Sequence, residues 1–251
     1  MSRVLCCLLL GCTLLAAQER IYLVDELLAP AVPLAEQLLA DAGDHVIHDP
    51  AAPVPADAGT LLVELRGHLD GISPAAETDR LAQLLGQAPQ ARLYVLSTWV
   101  APERYWSDSY GQPIWDAHAW SDALHTVITK HHRVVLTTLR ERMPGRDIRL
   151  IPIARGFLEV HEASMRLGDA SPFYRANELL IDYGMGIQAE RSGLYLAACT
   201  IAAALGAEVE QAPAQPEITA PHLDPSTAIA DLSPEQAQLL RNIARKVTSS
   251  D

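Results

Sequence analysis

Basic residues are scarce in this chain, with 19 Lys and Arg against 31 Asp and Glu, for a formal net charge of −12. A surface that tracks a phosphate backbone would have to form against the field of the whole molecule, so nucleic acid is excluded as an expected partner. Cysteine is sparse as well. Three of the four, Cys6, Cys7 and Cys12, fall in the opening segment, and without that segment Cys199 has no partner for an internal disulfide. Residues 4–17 are apolar but stop short of the roughly 20 needed to span a bilayer. With 49% hydrophobic and 20% charged residues over 251 positions, the composition fits a single globular domain and excludes disordered, collagen-like and coiled-coil classes.

Residues 1–17 carry Arg3, then VLCCLLLGCTLLAA, then the polar Gln18-Glu19-Arg20. This order is that of a secretory signal, with Ala16-Ala17 as the cleavage point. The expectation is therefore a secreted or periplasmic mature domain, 18–251, with no transmembrane segment. Leu9-Leu10-Gly11-Cys12 also resembles a lipobox with Cys12 as the lipidated residue; the apolar TLLAA that follows weighs against it. Cys199 lies in LYLAACTIAAALG, apolar nearly all round, and reads as a small buried hydrophobe rather than a nucleophile.

From Ile21 onward short apolar runs alternate with helical periodicity, which predicts parallel strands joined by crossover helices. The strands fall at 21–24, 45–48, 61–65, 93–97 and 149–153. Pro33 and the stripe Leu34, Leu38, Leu39 predict one helix, closed by Gly43, and Ser73-Pro74 opens another. The longest helix spans about 120–142, with Leu124, Val127, Ile128, Val135 and Leu139 on one face. Residues 182–206 read as a loop followed by a buried helix. Residues 208–231, with Pro213, Pro216, Pro221 and Pro225, read as extended surface chain. Ser233, Pro234 and Gln236 start a last helix that faces Leu240, Ile243 and Val247 inward. The fold class is α/β, a three-layer sandwich around a parallel sheet of about five strands in flavodoxin-like order. Such sheets place ligands at the carboxyl ends of their strands.

The order of these pieces resembles that of the bacterial SGNH/GDSL-type hydrolases over most of 21–247, through short motifs. IYLVDELL resembles the family's opening strand and its Gly-Asp-Ser-Leu turn. YVLSTWVAPERYW resembles a strand with a Trp-bearing loop, and GRDIRLIPIARGFLEV resembles a late strand. GIQAERSGLYLAACTIAAALG is similar to the closing block, in which Asp-x-x-His precedes a buried helix. The resemblance implies ester hydrolysis by a Ser on the first turn and a His near the last helix. Both are missing. No Ser occurs between Ser2 and Ser73 and no Thr between Thr13 and Thr60, so the family's Ser falls on Glu26 or Leu27. Gln188 stands where the His belongs and Met185 where the Asp belongs. A carboxamide does not take a proton from a hydroxyl at neutral pH, so the covalent route is closed and no catalytic residue is assigned.

Other constellations carry weaker chemistry. Trp99, Trp106, Trp115 and Trp120 cluster with Tyr105, Tyr110 and His118, forming either an aromatic lid over a ligand or a satellite core. His118, Asp122, His125 and His132 share one flank of the long helix, a spacing that suits a metal but is more often a solvated face. Asp25 and Glu26 end the first strand, and neighbours in an extended chain point to opposite faces, so one of them lines a pocket. Arg66-Gly67-His68 follows the third strand, where Arg can clamp an anion or simply be solvated. Residues 182–186 lack a phosphate-binding fingerprint. The expected pocket residues are Asp25, Glu26, Arg66, His68, Trp99, Trp106 and Gln188, with no metal and no cofactor. The expected function is a non-catalytic SGNH-like protein that binds a small-molecule, carbohydrate or acyl ligand. One alternative is an active ester hydrolase in which His68 or His118 works with Asp25 or Glu26. Another is a partner-binding domain that presents the aromatic loop as a flat patch.

Overall fold

The computed structural model describes residues 19–25, 27–40, 45–48, 54–66, 71–99, 117–173, 176–182, 187–220, 223 and 231–249. Five strands, β1 (Glu19–Leu23), β2 (His45–His48), β3 (Thr60–Leu65), β4 (Arg92–Ser97) and β5 (Ile148–Ile151), form one sheet in the order β2-β1-β3-β4-β5. Every pairing in it is parallel. The architecture is the predicted three-layer α/β sandwich. The fifth strand ends at Ile151 rather than at 153, because Pro152 has no N–H for a ladder and Ile153 opens a helix.

Side chains alternate across the sheet and feed two cores. Leu61, Val63, Leu65, Leu93, Val95 and Ile148 pack on one face with helices α2 (Pro74–Gln87) and α4 (Arg133–Arg142). Ile21, Leu23, Leu62, Leu96 and Ile151 pack on the other, against α1 (Val32–Leu39), α5 (Ile153–Leu167), α6 (Arg191–Ala204) and α7 (Pro234–Thr248). Ser73 caps α2 by accepting from Ala76 N–H. At α7 the capping box is complete: Ser233 Oγ accepts from Gln236 N–H, and Gln236 Oε1 accepts from Ser233 N–H. Leu240, Ile243 and Val247 are buried beneath it as expected.

Two segments depart from expectation. Residues 182–206 do not open with a plain loop. β6 (Leu180–Asp182) and β7 (Ile187–Ala189) pair antiparallel and lead into α6. There Gly193 lies so close to the hairpin that a Cβ would collide with the Leu179 carbonyl oxygen. The long helix is interrupted. α3 (Ala117–Val127) passes through a π-helical turn at Ile128–His132 before α4 begins. Leu124 and Val127 belong to one core and Val135 and Leu139 to the other. The inserted residue of the π-turn shifts the apolar stripe while the helix passes from α5 to α2.

Residues 212–220 follow a 3-10 turn at Val209–Gln211 and form no helix, in keeping with their prolines. Cys199 is buried and free, with its thiol pushed up to about 12 by burial, which makes it inert at neutral pH. Among the described residues no helix is long and apolar enough to cross a membrane.

Candidate functional site at the carboxyl ends of the strands

The strand order reverses between β1 and β3, so the crevice of this doubly wound sheet opens at their carboxyl ends. Asp25 arrives there two residues after β1. Its Oδ2 accepts from Glu64 N–H at 2.9 Å, and its Oδ1 pairs with Arg80 Nη1 at 3.2 Å. Arg80, from the second turn of α2, also donates through Nη2 to the Glu64 carbonyl (2.5 Å) and to Glu77 Oε1 (2.6 Å). Both backbone groups of Glu64 are thereby held by charged side chains, which fixes the end of β3.

The Glu64 side chain is fully buried in an otherwise apolar strand. Its Oε1 accepts from Leu28 N–H at 2.7 Å. Burial is the main cause that raises its pKa to about 8, with the Asp25 charge adding to it and Leu28 N–H, Arg66 and Arg80 opposing it. Glu64 is therefore a neutral acid at pH 7. Since Oε1 is already an acceptor, the proton belongs on Oε2, which is buried and makes no hydrogen bond among the described residues. One residue past β3, Arg66 Nε is likewise buried without a hydrogen-bond partner among them. His131, on the π-turn, is held below the usual imidazole range by burial, with the Glu77 carboxylate pulling the other way.

Hydroxyls at these strand ends are committed elsewhere. Ser97 Oγ donates to Ile151 O and accepts from Ala154 N–H, and Thr98 Oγ1 donates to Leu65 O at 2.7 Å. Both side chains are buried. They act as braces between strands, and neither is presented as a nucleophile. Family models, curated proteins and solved structures were compared with the chain, and none matches.

Of the expected pocket residues, Asp25 and Arg66 both act electrostatically on Glu64. Asp25 is tied into the lattice around Arg80 rather than presented to a ligand. Trp99 is 1% exposed and stacks on Phe157, with ring centroids 5.1 Å apart, so for this residue the core alternative holds and the lid does not. Trp120 is buried too, edge-on to His161. Gln188 pairs with Ile181 through the β6–β7 ladder, but its side chain, like Glu26, His68, Trp106, Trp115, Tyr105, Tyr110 and the His118 side chain, lies outside the described residues. Of the expected histidine flank, His125 is exposed and His132 buried, and both line a cleft beyond the ends of β4 and β5. Asp122 and His125 also line a groove of about 520 Å³ with His161 and Glu162. No group of three or more metal-ligating side chains is assembled among the described residues.

Glu64, Glu77 and Arg80 escape the sequence reading. The available signal was a lone acid inside TLLVELR, because a charged residue in a strand covered on both faces needs a partner or a proton.

Proposed function

We propose that this chain is an exported, SGNH-like domain that binds a small-molecule, carbohydrate or acyl ligand at the carboxyl end of its sheet without covalent catalysis. The observation that carries this reading is that two buried polar atoms at the switch point, Glu64 Oε2 and Arg66 Nε, have no hydrogen-bond partner among the described residues. A protonated Glu64 and the Arg66 guanidinium would each donate to carbonyl, hydroxyl or carboxylate oxygens of a ligand, and buried polar groups left unmatched are costly enough to favour filling. The lack of hydrolytic chemistry rests on the loop after β1, which has no hydroxyl, and on Ser97 and Thr98, which are both committed to backbone. Export rests on the pattern of residues 1–17.

The test uses the mature protein with 4-nitrophenyl acetate and butyrate as substrates, and with butyrate and methyl glycosides as binding probes in thermal unfolding. The expected outcome is no turnover above buffer and a rise in Tm with at least one probe class, lost in Arg66→Ala. Turnover that disappears in Glu26→Gln or His68→Asn would instead establish a rearranged hydrolase. Failure of every probe to raise Tm would remove the binding reading.

A further inference from the structure

A second opening lies along the same edge of the sheet, beyond the ends of β4 and β5. It is a cleft of about 640 Å³, within the range of small-molecule sites. Its polar wall is cationic: Arg133, Arg140 and Arg155 line it together with His125, His132 and Thr129. Among the described residues no carboxylate lines it, although acids outnumber bases by 31 to 19 over the whole chain. Ser97 and Thr137 add hydroxyl-bearing side chains, and Ile128, Leu136, Leu150 and Pro152 contribute an apolar part of the wall.

The fold concentrates these groups through the π-turn. His131 and His132 meet edge to face with ring centroids 6.0 Å apart, and of the two His132 lines the cleft, together with the next residue, Arg133. Thr129 Oγ1 donates to the His125 carbonyl, which answers one of the acceptors such a turn loosens. Arg140 is held in place by two hydrogen bonds, from Nε and Nη2, to the Ile148 carbonyl. Arg155 pairs with Glu159, a carboxylate it shares with Lys246, and lies 3.7 Å from Glu162 Oε2, so its charge is largely answered and the available charge of the cleft rests on Arg133 and Arg140. Arg133 makes no ion pair or hydrogen bond among the described residues.

We propose that this cleft is a binding site for a small organic dianion, a phosphate monoester or a dicarboxylate, whose oxyanion meets the guanidiniums while its body rests on the apolar wall. Guanidinium donors arranged around a cleft match oxyanions in charge and in paired hydrogen-bond geometry. The site is separate from the β1–β3 crevice and stands whether or not that crevice holds a ligand.

Isothermal titration of the mature protein at low salt tests it, with phenyl phosphate, phthalate and inorganic phosphate as probes. Phenyl phosphate or phthalate is expected to bind saturably and more tightly than inorganic phosphate, and which of the two binds assigns the headgroup. Arg133→Ala should weaken binding by about tenfold or more, and Arg133→Glu should abolish it. Arg92→Ala removes the same charge at the opposite end of β4 and should change affinity less than about twofold. Circular dichroism of each variant confirms folding, since Arg133 is exposed. Absence of saturable binding by both organic probes, or an equal loss in Arg92→Ala, overturns the proposal.

Discussion

Two charged regions share one edge of the sheet and handle charge in opposite ways. At the β1–β3 crevice, Arg80 is answered by Asp25, Glu77 and the Glu64 carbonyl, and Glu64 avoids a buried charge by keeping its proton. At the β4–β5 cleft, three guanidiniums line one cavity and Arg133 has no partner among the described residues. Desolvated ions must be matched internally because an uncompensated one costs several kcal/mol. Exposed ions remain hydrated, so leaving them unmatched costs little. The first region therefore fixes structure and the second leaves charge available to a ligand.

Removing the guanidinium from the first region should have the largest effect. In Arg80→Ala, Glu77 is left 1% exposed without its cation, Asp25 loses its counter-ion, and the β3 end loses the bond to the Glu64 carbonyl. A loss of about 3 kcal/mol or more is expected, read as a lower urea midpoint at unchanged slope. A loss under about 1 kcal/mol would erase the contrast between the two regions, since exposed ion pairs are worth that much.

The layers were legible because each strand is a short apolar run and each crossover helix has its own start signal, as at Ser73-Pro74 and Ser233-Pro234. The site was much less so. Glu64 stood out only as a charge in a buried strand, and its partners lie 36 residues back at Leu28 and 39 back at Asp25, beyond any local pattern. The π-turn left no trace either, because Leu124, Val127, Ile128, Val135 and Leu139 fit one continuous stripe until a single inserted residue divides them between two cores. Trp99 shows the same limit: clustering of indoles along the chain does not distinguish a lid from a ring stacked inside on Phe157.

The second expected effect concerns the proton on Glu64. Its folded-state pKa of about 8 lies above the ordinary 4.5, so between those values the native state holds a proton that the unfolded chain has released. Stability from this group is fully present below about pH 4.5, declines as pH rises through the window, and levels off above about pH 8. Glu64→Gln keeps a neutral side chain with an acceptor for Leu28 N–H and titrates nowhere in this range. Relative to the variant, the wild-type protein should therefore lose on the order of a few kcal/mol between about pH 5 and about pH 9. Parallel stability curves for the two proteins would mean that Glu64 is ionised in the fold, and the first region would then hold an unmatched buried charge.

The smallest effect is expected in the second region. Arg133 sits in a helix with Lys130 three residues before it, Thr129 four before, Leu136 three after and Thr137 four after, so no intrahelical acid answers it. Its guanidinium shares the cleft with Arg140 and Arg155. Without ligand, Arg133→Ala removes like-charge repulsion and no attractive contact among the described residues, so stability should rise by a few tenths of a kcal/mol at low salt. At about 0.5 M salt the Debye length shrinks to a few ångströms and the gain should vanish. Chemical denaturation with urea, which leaves ionic strength unchanged, reads both conditions. A loss of about 1 kcal/mol or more that persists at high salt would show that Arg133 is a structural cation like Arg80, and the division between matched and available charge would fail at this residue.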